Sequence, residues 1–184
     1  TFSGCENLRS VILPDSLENI GGFAFEGCSS LDDIILPENV SYIGTGAFQK
    51  CSSLGSIKMP VQVTKTGTGI FQDCSNLKRV TLSPSLISIE AQTFEGCSSS
   101  LTEVILPDLI TSIAYDAFRD CSSLASINIP DGVTEIGAYA FQDCSSLASI
   151  RVPDSVTEIH GSIFNGCSNL KSVTLSSGLT VIES

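Results

Sequence analysis

Eight cysteines recur along the chain at nearly constant spacing, and their side chains are the first candidates for a reactive or metal-binding site. They are Cys5, Cys28, Cys51, Cys74, Cys97, Cys121, Cys144 and Cys167, and each number exceeds the last by 23, or by 24 in one case. Cysteine side chains can form disulfides, bind metal ions or act as nucleophiles. Which of these is available depends on how the chain places the eight side chains relative to one another.

A repeat of this length predicts a solenoid, in which each repeat forms one rung and packs only against its neighbours. Equivalent residues then lie one rung apart, about 4.8 Å, with Cβ atoms pointing the same way. A disulfide needs Cβ atoms turned toward each other at about 3.8 Å. We therefore expect buried free thiols that act as small hydrophobic residues. The sequence contains no CxxC pair or Cys/His cluster that would indicate a metal site.

The apolar residues around each cysteine predict the elements that position it. A phenylalanine lies three residues before every cysteine, at Phe2, Phe25, Phe48, Phe71, Phe94, Phe118, Phe141 and Phe164. After the cysteine comes the pattern L-x-x-[IV]-x-[LIV], for example Leu54, Ile57 and Met59, whose alternation is typical of a short strand with one buried face. A proline follows in six of the eight repeats, and it ends the strand because it has no N–H to donate.

A second apolar pair, such as Val133 and Ile136, predicts a second short strand in each repeat. A glycine often follows, but Glu90, Ala114, His160 and Glu183 replace it in four repeats, so a positive φ is not required there. The roughly five residues before each phenylalanine are too few for an independent α-helix, so we expect a 3₁₀ or single-turn segment. The extra residue within Cys97–Leu101 falls in a polar turn, where an insertion costs little.

Composition limits the classes of partner. The net charge of −11 disfavours nucleic acid and anionic membranes. No run of about 18 apolar residues is present, so we predict no membrane span in this segment. The chain begins and ends within a repeat, and it lacks the polar caps that terminate solenoids. We therefore expect a single repeat domain over residues 1–184 that is a segment of a longer protein.

Three parts of the repeat resemble a known family. The stretch Leu31–Pro37 reads L-x-x-I-x-L-P and is similar to a leucine-rich repeat strand. The 23-residue period, the V-x-x-I-G segment at Val133–Gly137 and the A-F-x-x-C-S-S-L ending at Ala140–Leu147 resemble the BspA-like, Treponema-type subclass of leucine-rich repeats. The match covers essentially the whole chain, with local departures such as Thr66 at an isoleucine position and Ser83 at a proline position.

The resemblance implies a leucine-rich repeat solenoid of about eight 23-residue repeats. Such a solenoid consists mostly of short β-strands and 3₁₀ turns, with a parallel sheet on the concave side. The resemblance also implies a bacterial or protist protein that is often secreted or attached to the cell surface. Such proteins are commonly linked to adhesion to host matrix proteins or to other cells. Family members offer no catalytic residues to carry over, and no cofactor is implied.

Residues between the inward positions of the first strand should point outward and vary. Six of the nine basic residues lie in these strand segments, against three of the twenty acids, so this side is our candidate interaction face. The alternative is that a crowded parallel sheet avoids stacked carboxylates. Ile12, Ile35 and Ile105 are candidate apolar contacts, although strand propensity explains them at least as well. The candidate ligand-binding residues are Lys58, Lys78, Arg79 and Arg151 as a basic patch, with Asp33, Ile35, Glu103, Ile105 and Asn128.

No catalytic constellation stands out in the sequence. His160 is the single histidine, and a surface or turn position explains it best. There is no G-x-S-x-G or G-x-x-x-x-G-K-[ST] motif. We therefore predict a non-enzymatic module that binds a protein or a glycan through the sheet side. The alternative is a structural spacer that holds another domain away from a cell surface.

Overall fold

The structure, a computed structural model, describes residues 2–183 and consists of two columns of short strands joined by turns. The first column follows the cysteines and contains β3 (Ser56–Lys58), β5 (Arg79–Thr81), β7 (Glu103–Ile105), β9 (Ser126–Asn128), β11 (Ser149–Arg151) and β13 (Ser172–Thr174). The second column contains β1 (Asn19–Ile20), β2 (Tyr42–Ile43), β4 (Lys65–Thr66), β6 (Ser88–Ile89), β8 (Ser112–Ile113), β10 (Glu135–Ile136), β12 (Glu158–Ile159) and β14 (Val181–Ile182). No helix occurs between residues 2 and 183.

All strand pairs are parallel and join equivalent positions of successive repeats. In the first column Ile57 lies opposite Val80, and in the second column Ile20 lies opposite Ile43. The numbers of paired residues differ by 23, or by 24 where β6 pairs with β8 across the inserted residue. The solenoid predicted from the repeat period is therefore confirmed, and it places every outward residue next to its counterpart one rung away.

Five of the six first-column strands bury their middle residue and expose the two flanking ones, as alternation predicts, and in β13 the middle residue Val173 is half-buried. Repeats one and two differ, because residues 10–12 and 33–35 occupy the equivalent positions without strand pairing. The burial alternation nevertheless persists in the second repeat, where Ile34 is buried and Asp33 and Ile35 are exposed. The inward residues therefore fix the direction of the side chains even where the strand ladder is absent.

The core is a line of stacked phenylalanine rings. Consecutive rings from Phe2 to Phe164 have centroids 5.2 to 6.0 Å apart and interplanar angles of at most 27°. Five of these rings are fully buried: Phe48, Phe71, Phe94, Phe118 and Phe141. Leucine and isoleucine columns from both sets of strands pack on the same cluster, so one hydrophobic core runs through all the repeats.

The cysteines are free thiols, as the even spacing predicts, and they also donate hydrogen bonds. Each Sγ from Cys28 to Cys167 lies 3.0 to 3.2 Å from the carbonyl oxygen of the phenylalanine in the preceding repeat. Burial raises the pKa of the Cys51 thiol to about 12, and the neighbouring Cys28 contributes to the same rise. The thiols are therefore protonated donors at neutral pH, so they contribute more than apolar filling.

The segments that carry the phenylalanines are successive turns with two left-handed residues in each complete repeat. One lies five residues before the cysteine and the other directly before it, and their φ angles range from 55° to 75°. Residues other than glycine occupy many of these sites, including Gln92, Asp116 and Tyr139. Each such residue is strained by roughly 1 kcal/mol relative to glycine. The sequence predicted a 3₁₀ or single-turn segment here, and the structure shows turns.

The glycine after the second strand has a different role. As expected from its replacement in other repeats, it does not adopt a positive φ at Gly44 or Gly67. The backbones of adjacent repeats approach closely there, and a Cβ added to Gly44 would lie 2.5 Å from the backbone nitrogen of Gly22. Glycine at this site therefore permits close stacking of rungs.

Serine replaces proline after two of the strands without leaving a buried hydroxyl unpaired. Ser83 is fully buried, and its Oγ donates to the Val61 carbonyl at 3.1 Å and accepts from the Ser85 N–H at 3.2 Å. Ser176 makes the equivalent pair of contacts with the Asp154 carbonyl and the Gly178 N–H. Proline at this turn can therefore be replaced where a side chain supplies the hydrogen bonds.

Candidate functional site

The sheet face is the surface formed by the outward residues of the first strand column and the corresponding residues of repeats one and two. Every residue predicted to contact a ligand lies on it and is exposed: Asp33, Ile35, Lys58, Lys78, Arg79, Glu103, Ile105, Asn128 and Arg151. Their placement follows from the alternation of the strand, which buries Ile57, Val80 and Val104 and turns the neighbouring side chains outward.

Three isoleucines on the sheet face are almost fully accessible. Ile12 is 98% exposed, Ile35 80% and Ile105 76%. Burying an aliphatic side chain of this size contributes about 1.5 to 3 kcal/mol, and none of the three gains that contribution within the chain. These residues therefore stabilise the fold little and are available to a partner.

Four shallow hollows lie along the sheet face. The first, of about 310 Å³, is lined by residues that include Asp33, Ile35, Lys58 and Arg79. The second is the largest, at about 810 Å³, and its lining includes Lys78, Arg79, Glu103, Ile105 and Leu109. The other two measure about 350 Å³, around Ile12 and Ile35, and about 230 Å³, around Ile105 and Asn128. Adjacent hollows share residues, so they form a broken groove along the repeats.

The predicted basic residues do not behave alike. Lys58 Nζ lies 3.5 Å from Glu38 Oε1. Arg151 Nη1 donates to Asp131 Oδ1 at 2.6 Å, and this hydrogen bond raises the pKa of the guanidinium. Within the described residues, Lys78 and Arg79 have no ion pair. Of the four predicted basic residues, these two adjacent cations are therefore the ones without a counter-charge in the part of the chain that the structure describes.

The structure brings most of the predicted residues together but leaves one apart. Arg79 lines both the first and the second hollow, and Glu103 and Ile105 line the second and the fourth. Arg151 lies three rungs beyond Arg79, a distance of about 14 Å at roughly 4.8 Å per rung. It lines none of the four hollows. The four basic residues therefore do not form one compact patch.

Acidic residues at the ends of the strands were missed by the sequence reasoning. Asp108 and Asp131 each follow the proline after a strand, Glu38 follows the equivalent proline of repeat two, and all three contact or line the sheet face. A recurring Pro-Asp or Pro-Glu pair, seen for example at Pro37-Glu38 and Pro130-Asp131, was the available signal. Rung stacking places such an acid beside the strand of the next repeat, where it neutralises Lys58 or Arg151.

A second polar cluster lies in the turn segments, away from the four hollows. Arg119 Nη1 is 3.8 Å from Asp116 Oδ1, and Glu95 Oε2 accepts hydrogen bonds from Gln72 and Gln92. Burial raises the pKa of both carboxyl groups, and for Glu95 the charge of Asp116 adds to the shift. No group of His, Cys, Asp and Glu within residues 2–183 is placed to hold a metal ion.

His160 pairs with Glu183 one repeat later, with 3.3 Å between Nδ1 and Oε2. It therefore lies in a ladder contact between turns, in keeping with the surface or turn position expected for it. Over the described part of the chain, no helix has the length and apolar character needed to cross a membrane.

Comparison with known proteins settles the family. A family model for the BspA type leucine rich repeat region matches residues 1–102 and 88–184 with 6 copies. This chain belongs to the BspA-type leucine-rich repeat family. Leucine-rich repeats of this family are non-enzymatic scaffolds that typically serve in protein interaction or at surfaces.

Solved structures of bacterial leucine-rich repeat proteins share the fold. A leucine-rich repeat protein from Bacteroides ovatus superimposes with a TM-score of 0.84 and 27% identity, over 99% of this chain and 56% of its own length. One from T. pallidum gives a TM-score of 0.77 and 31% identity, over 95% of this chain and 73% of its own. A leucine rich cell surface protein from Faecalibacterium prausnitzii gives 0.51 and 27%, over 96% and 62%.

The lengths of these relatives matter for interpretation. This chain spans about half the length of the Bacteroides ovatus protein that it matches. Among curated proteins, none shows significant sequence similarity to this chain. The family is therefore shown by the match of the repeats to the family model, and the fold by the solved structures. The residues that vary between the repeats are where a partner should be sought.

Proposed function

We propose that this chain is a non-enzymatic binding module of a secreted or cell-surface protein and engages a protein partner through the sheet face. The observation that carries the proposal is that Ile12, Ile35 and Ile105 are each at least 76% exposed on a face whose inward residues repeat almost unchanged. Exposed apolar side chains rimmed by polar ones are typical of interaction sites. The similarity to a leucine rich cell surface protein supports the surface setting.

The chemistry of the sheet face favours a protein over a glycan. Its outward strand residues are serine, threonine, isoleucine, asparagine and charged residues, with no aromatic ring against which a sugar could stack. Aliphatic side chains beside opposite charges suit the mixed apolar and charged surface of a protein. Adhesion to a matrix protein or to another cell is the form of binding that this module would supply.

A binding screen with the isolated chain tests the proposal. Immobilised extracellular-matrix proteins and intact cells would be probed by surface plasmon resonance and flow cytometry, with a charge-matched soluble protein as the blank. We expect saturable binding to at least one member of the panel. The double variant I35S/I105S should weaken that binding at least tenfold, because anchor side chains dominate interface energies.

The matched control is Ile87→Ser, which removes an isoleucine that is 50% exposed and lies just before β6, outside the sheet face. It should bind like the unchanged chain. Equal loss in the control and in the double variant would overturn the assignment to the sheet face. Absence of binding to the whole panel would contradict the binding role and favour a spacer without its own ligand.

A further inference from the structure

The regular stacking of the first strand column is interrupted between β5 and β7, and we call this boundary the seam. At five other boundaries a backbone bond joins residues just before the strands, for example Lys78 N–H to the Gly55 carbonyl at 2.9 Å. The boundary between β9 and β11 lacks ladder pairing but keeps this bond, from the Ala148 N–H to the Ala125 carbonyl at 3.4 Å. Within the described residues, the seam has neither ladder pairing nor the corresponding bond from residue 102 to Lys78, and the boundary between repeats one and two is the other place where both are absent.

The one-residue insertion lies at the same place. Ser98, Ser99 and Ser100 occupy the turn where other repeats have two residues, and β7 begins three residues after this turn, at Glu103. The repeat is otherwise undisturbed, because Leu101 is fully buried and the rings of Phe94 and Phe118 remain 5.2 Å apart. The insertion therefore changes the sheet face locally and leaves the core stacking intact.

The largest of the four hollows opens across the seam. Its volume is about 810 Å³, against about 230 to 350 Å³ for the other three. Val80, Leu82 and Leu106 are its buried apolar residues, and the exposed side chains of Ile105 and Leu109 add an accessible apolar wall. A hollow of this size and lining accommodates a large aliphatic or aromatic side chain.

Opposite charges line the two sides of the seam. Lys78 and Arg79 belong to the β5 side, and Glu103 and Asp108 belong to the β7 side. No ion pair joins the two sides among the described residues, in contrast to Lys58 and Arg151, which are paired with turn acids. Both signs are therefore available to an incoming segment.

We propose that the seam hollow is the specificity pocket of the sheet face, and that it receives a protein segment with an apolar side chain between an acidic and a basic one. The apolar side chain fills the space over Leu82 and Leu106. The acidic side chain faces Lys78 and Arg79, and the basic one faces Glu103 and Asp108. This inference rests on the proposed function, because it specifies which protein surface the sheet face selects.

Three labelled peptides of equal length test the pocket by fluorescence anisotropy. Each has a central leucine within a glycine-serine frame, flanked two residues away by glutamate and lysine, by two glutamates or by two lysines. We expect the mixed peptide to bind at least tenfold more tightly than the other two, because each of those places one like charge against a wall of the pocket. Equal affinities of the three peptides would overturn the proposal.

Arg79→Glu should cancel the positive charge of the β5 side, because Lys78 remains there, and should remove the advantage of the mixed peptide over the peptide with two lysines. Lys65→Glu is the matched control, since it makes the same change of charge at an exposed residue of β4, outside the hollow. It should leave the preference for the mixed peptide unchanged. A preference that moves equally in both variants would show a net-charge effect and contradict the pocket.

Deleting one of the three serines restores the regular spacing, should close the seam, and should weaken binding of the mixed peptide at least tenfold. Circular dichroism verifies that the deleted chain folds, and Arg79→Glu tests the pocket independently if it does not. Matrix-panel binding that survives alongside equal affinities for the three peptides would refute the pocket and leave the proposed function standing. If no matrix protein or cell in the panel binds but the chain still prefers the mixed peptide, the proposed function would be contradicted and the pocket would stand.

Discussion

The turn segments around the cysteines and the sheet face use their polar side chains in opposite ways. In the turn segments, Gln49 Nε2 donates to Gln72 Oε1 at 2.5 Å, and Gln72 Nε2 donates to Glu95 Oε2 at 2.7 Å. On the sheet face, Arg79 and Asn128 make no side-chain hydrogen bond within the described residues. The glutamines of the turn segments are therefore bonded within the stack, whereas Arg79 and Asn128 of the sheet face are left for solvent or a partner.

The difference separates structural residues from candidate binding residues within one repeat. A side chain bonded to its counterpart one rung away stabilises the stack, so its substitution should lower the free energy of unfolding. A side chain that contacts nothing in the chain can be replaced at little cost to stability. The two regions therefore respond differently to pH, to truncation of apolar residues and to removal of amides.

Raising the pH should produce the largest effect, and it should act on the turn segments. Burial raises the pKa of Cys74, Cys97, Cys121 and Cys144 above the ordinary thiol value of 9.0. Below about pH 9 both the folded and the unfolded chain keep the thiol protons, so thiol ionisation does not lower the free energy of unfolding. Above it the unfolded chain releases them and the folded chain does not, so each such thiol removes about 1.4 kcal/mol per pH unit.

Thermal unfolding between pH 8 and pH 10 measures this loss, which should be on the order of 5 kcal/mol for the four thiols over one unit. Cys74→Ala should unfold at a lower temperature at pH 8 and show a shallower dependence on pH. A melting temperature that stays constant up to pH 10 would mean that the thiols ionise within the folded chain. It would contradict the conclusion that they are protonated hydrogen-bond donors.

Truncation of apolar side chains should give the next largest difference. Phe94→Ala removes a fully buried ring that stacks between Phe71 and Phe118, and should cost about 3 to 5 kcal/mol. Ile105 is 76% exposed on the sheet face. Its replacement by alanine should therefore cost at most about 1 kcal/mol. Urea denaturation of both variants compares the regions directly, and similar losses would contradict the division between them.

Removal of amides should give the smallest difference. Gln72→Ala breaks two ladder hydrogen bonds and should lower the free energy of unfolding by about 1 kcal/mol. Asn128 carries an exposed amide on the sheet face. Its replacement by alanine should change the free energy of unfolding by at most about 0.5 kcal/mol. Paired urea titrations resolve the two, and an effect of Asn128→Ala as large as that of Gln72→Ala would show that the sheet face also carries stability.

Inward residues were predictable from the sequence because stacking demands the same side chain in every repeat. The burial of Ile57, Val80 and Val104 follows from alternation alone, and the free thiols follow from the even spacing of the cysteines. The hydrogen bond from each thiol to a phenylalanine carbonyl did not follow, because it depends on how far one rung is displaced along the next. Spacing in the sequence carries no information on that displacement.

The detailed form of the sheet face was less predictable. The outward direction of Lys58 and Arg151 follows from the strand period, but their pairing with Glu38 and Asp131 joins a strand to the turn of the preceding repeat. The left-handed residues were also hidden, since Gln92 and Tyr139 carry no signal for a positive φ. These features depend on the backbone path between strands, where the side-chain pattern is weakest.

The uniform ring stack has a consequence for how such a surface can change over generations. Every repeat meets the next through the same phenylalanine contact, with centroids 5.2 to 6.0 Å apart, so neighbouring repeats are interchangeable in packing. A whole repeat can be duplicated or lost without a new contact surface having to arise. The length of the sheet face can therefore change through the number of repeats, while its binding selectivity changes separately, through substitutions at the outward positions.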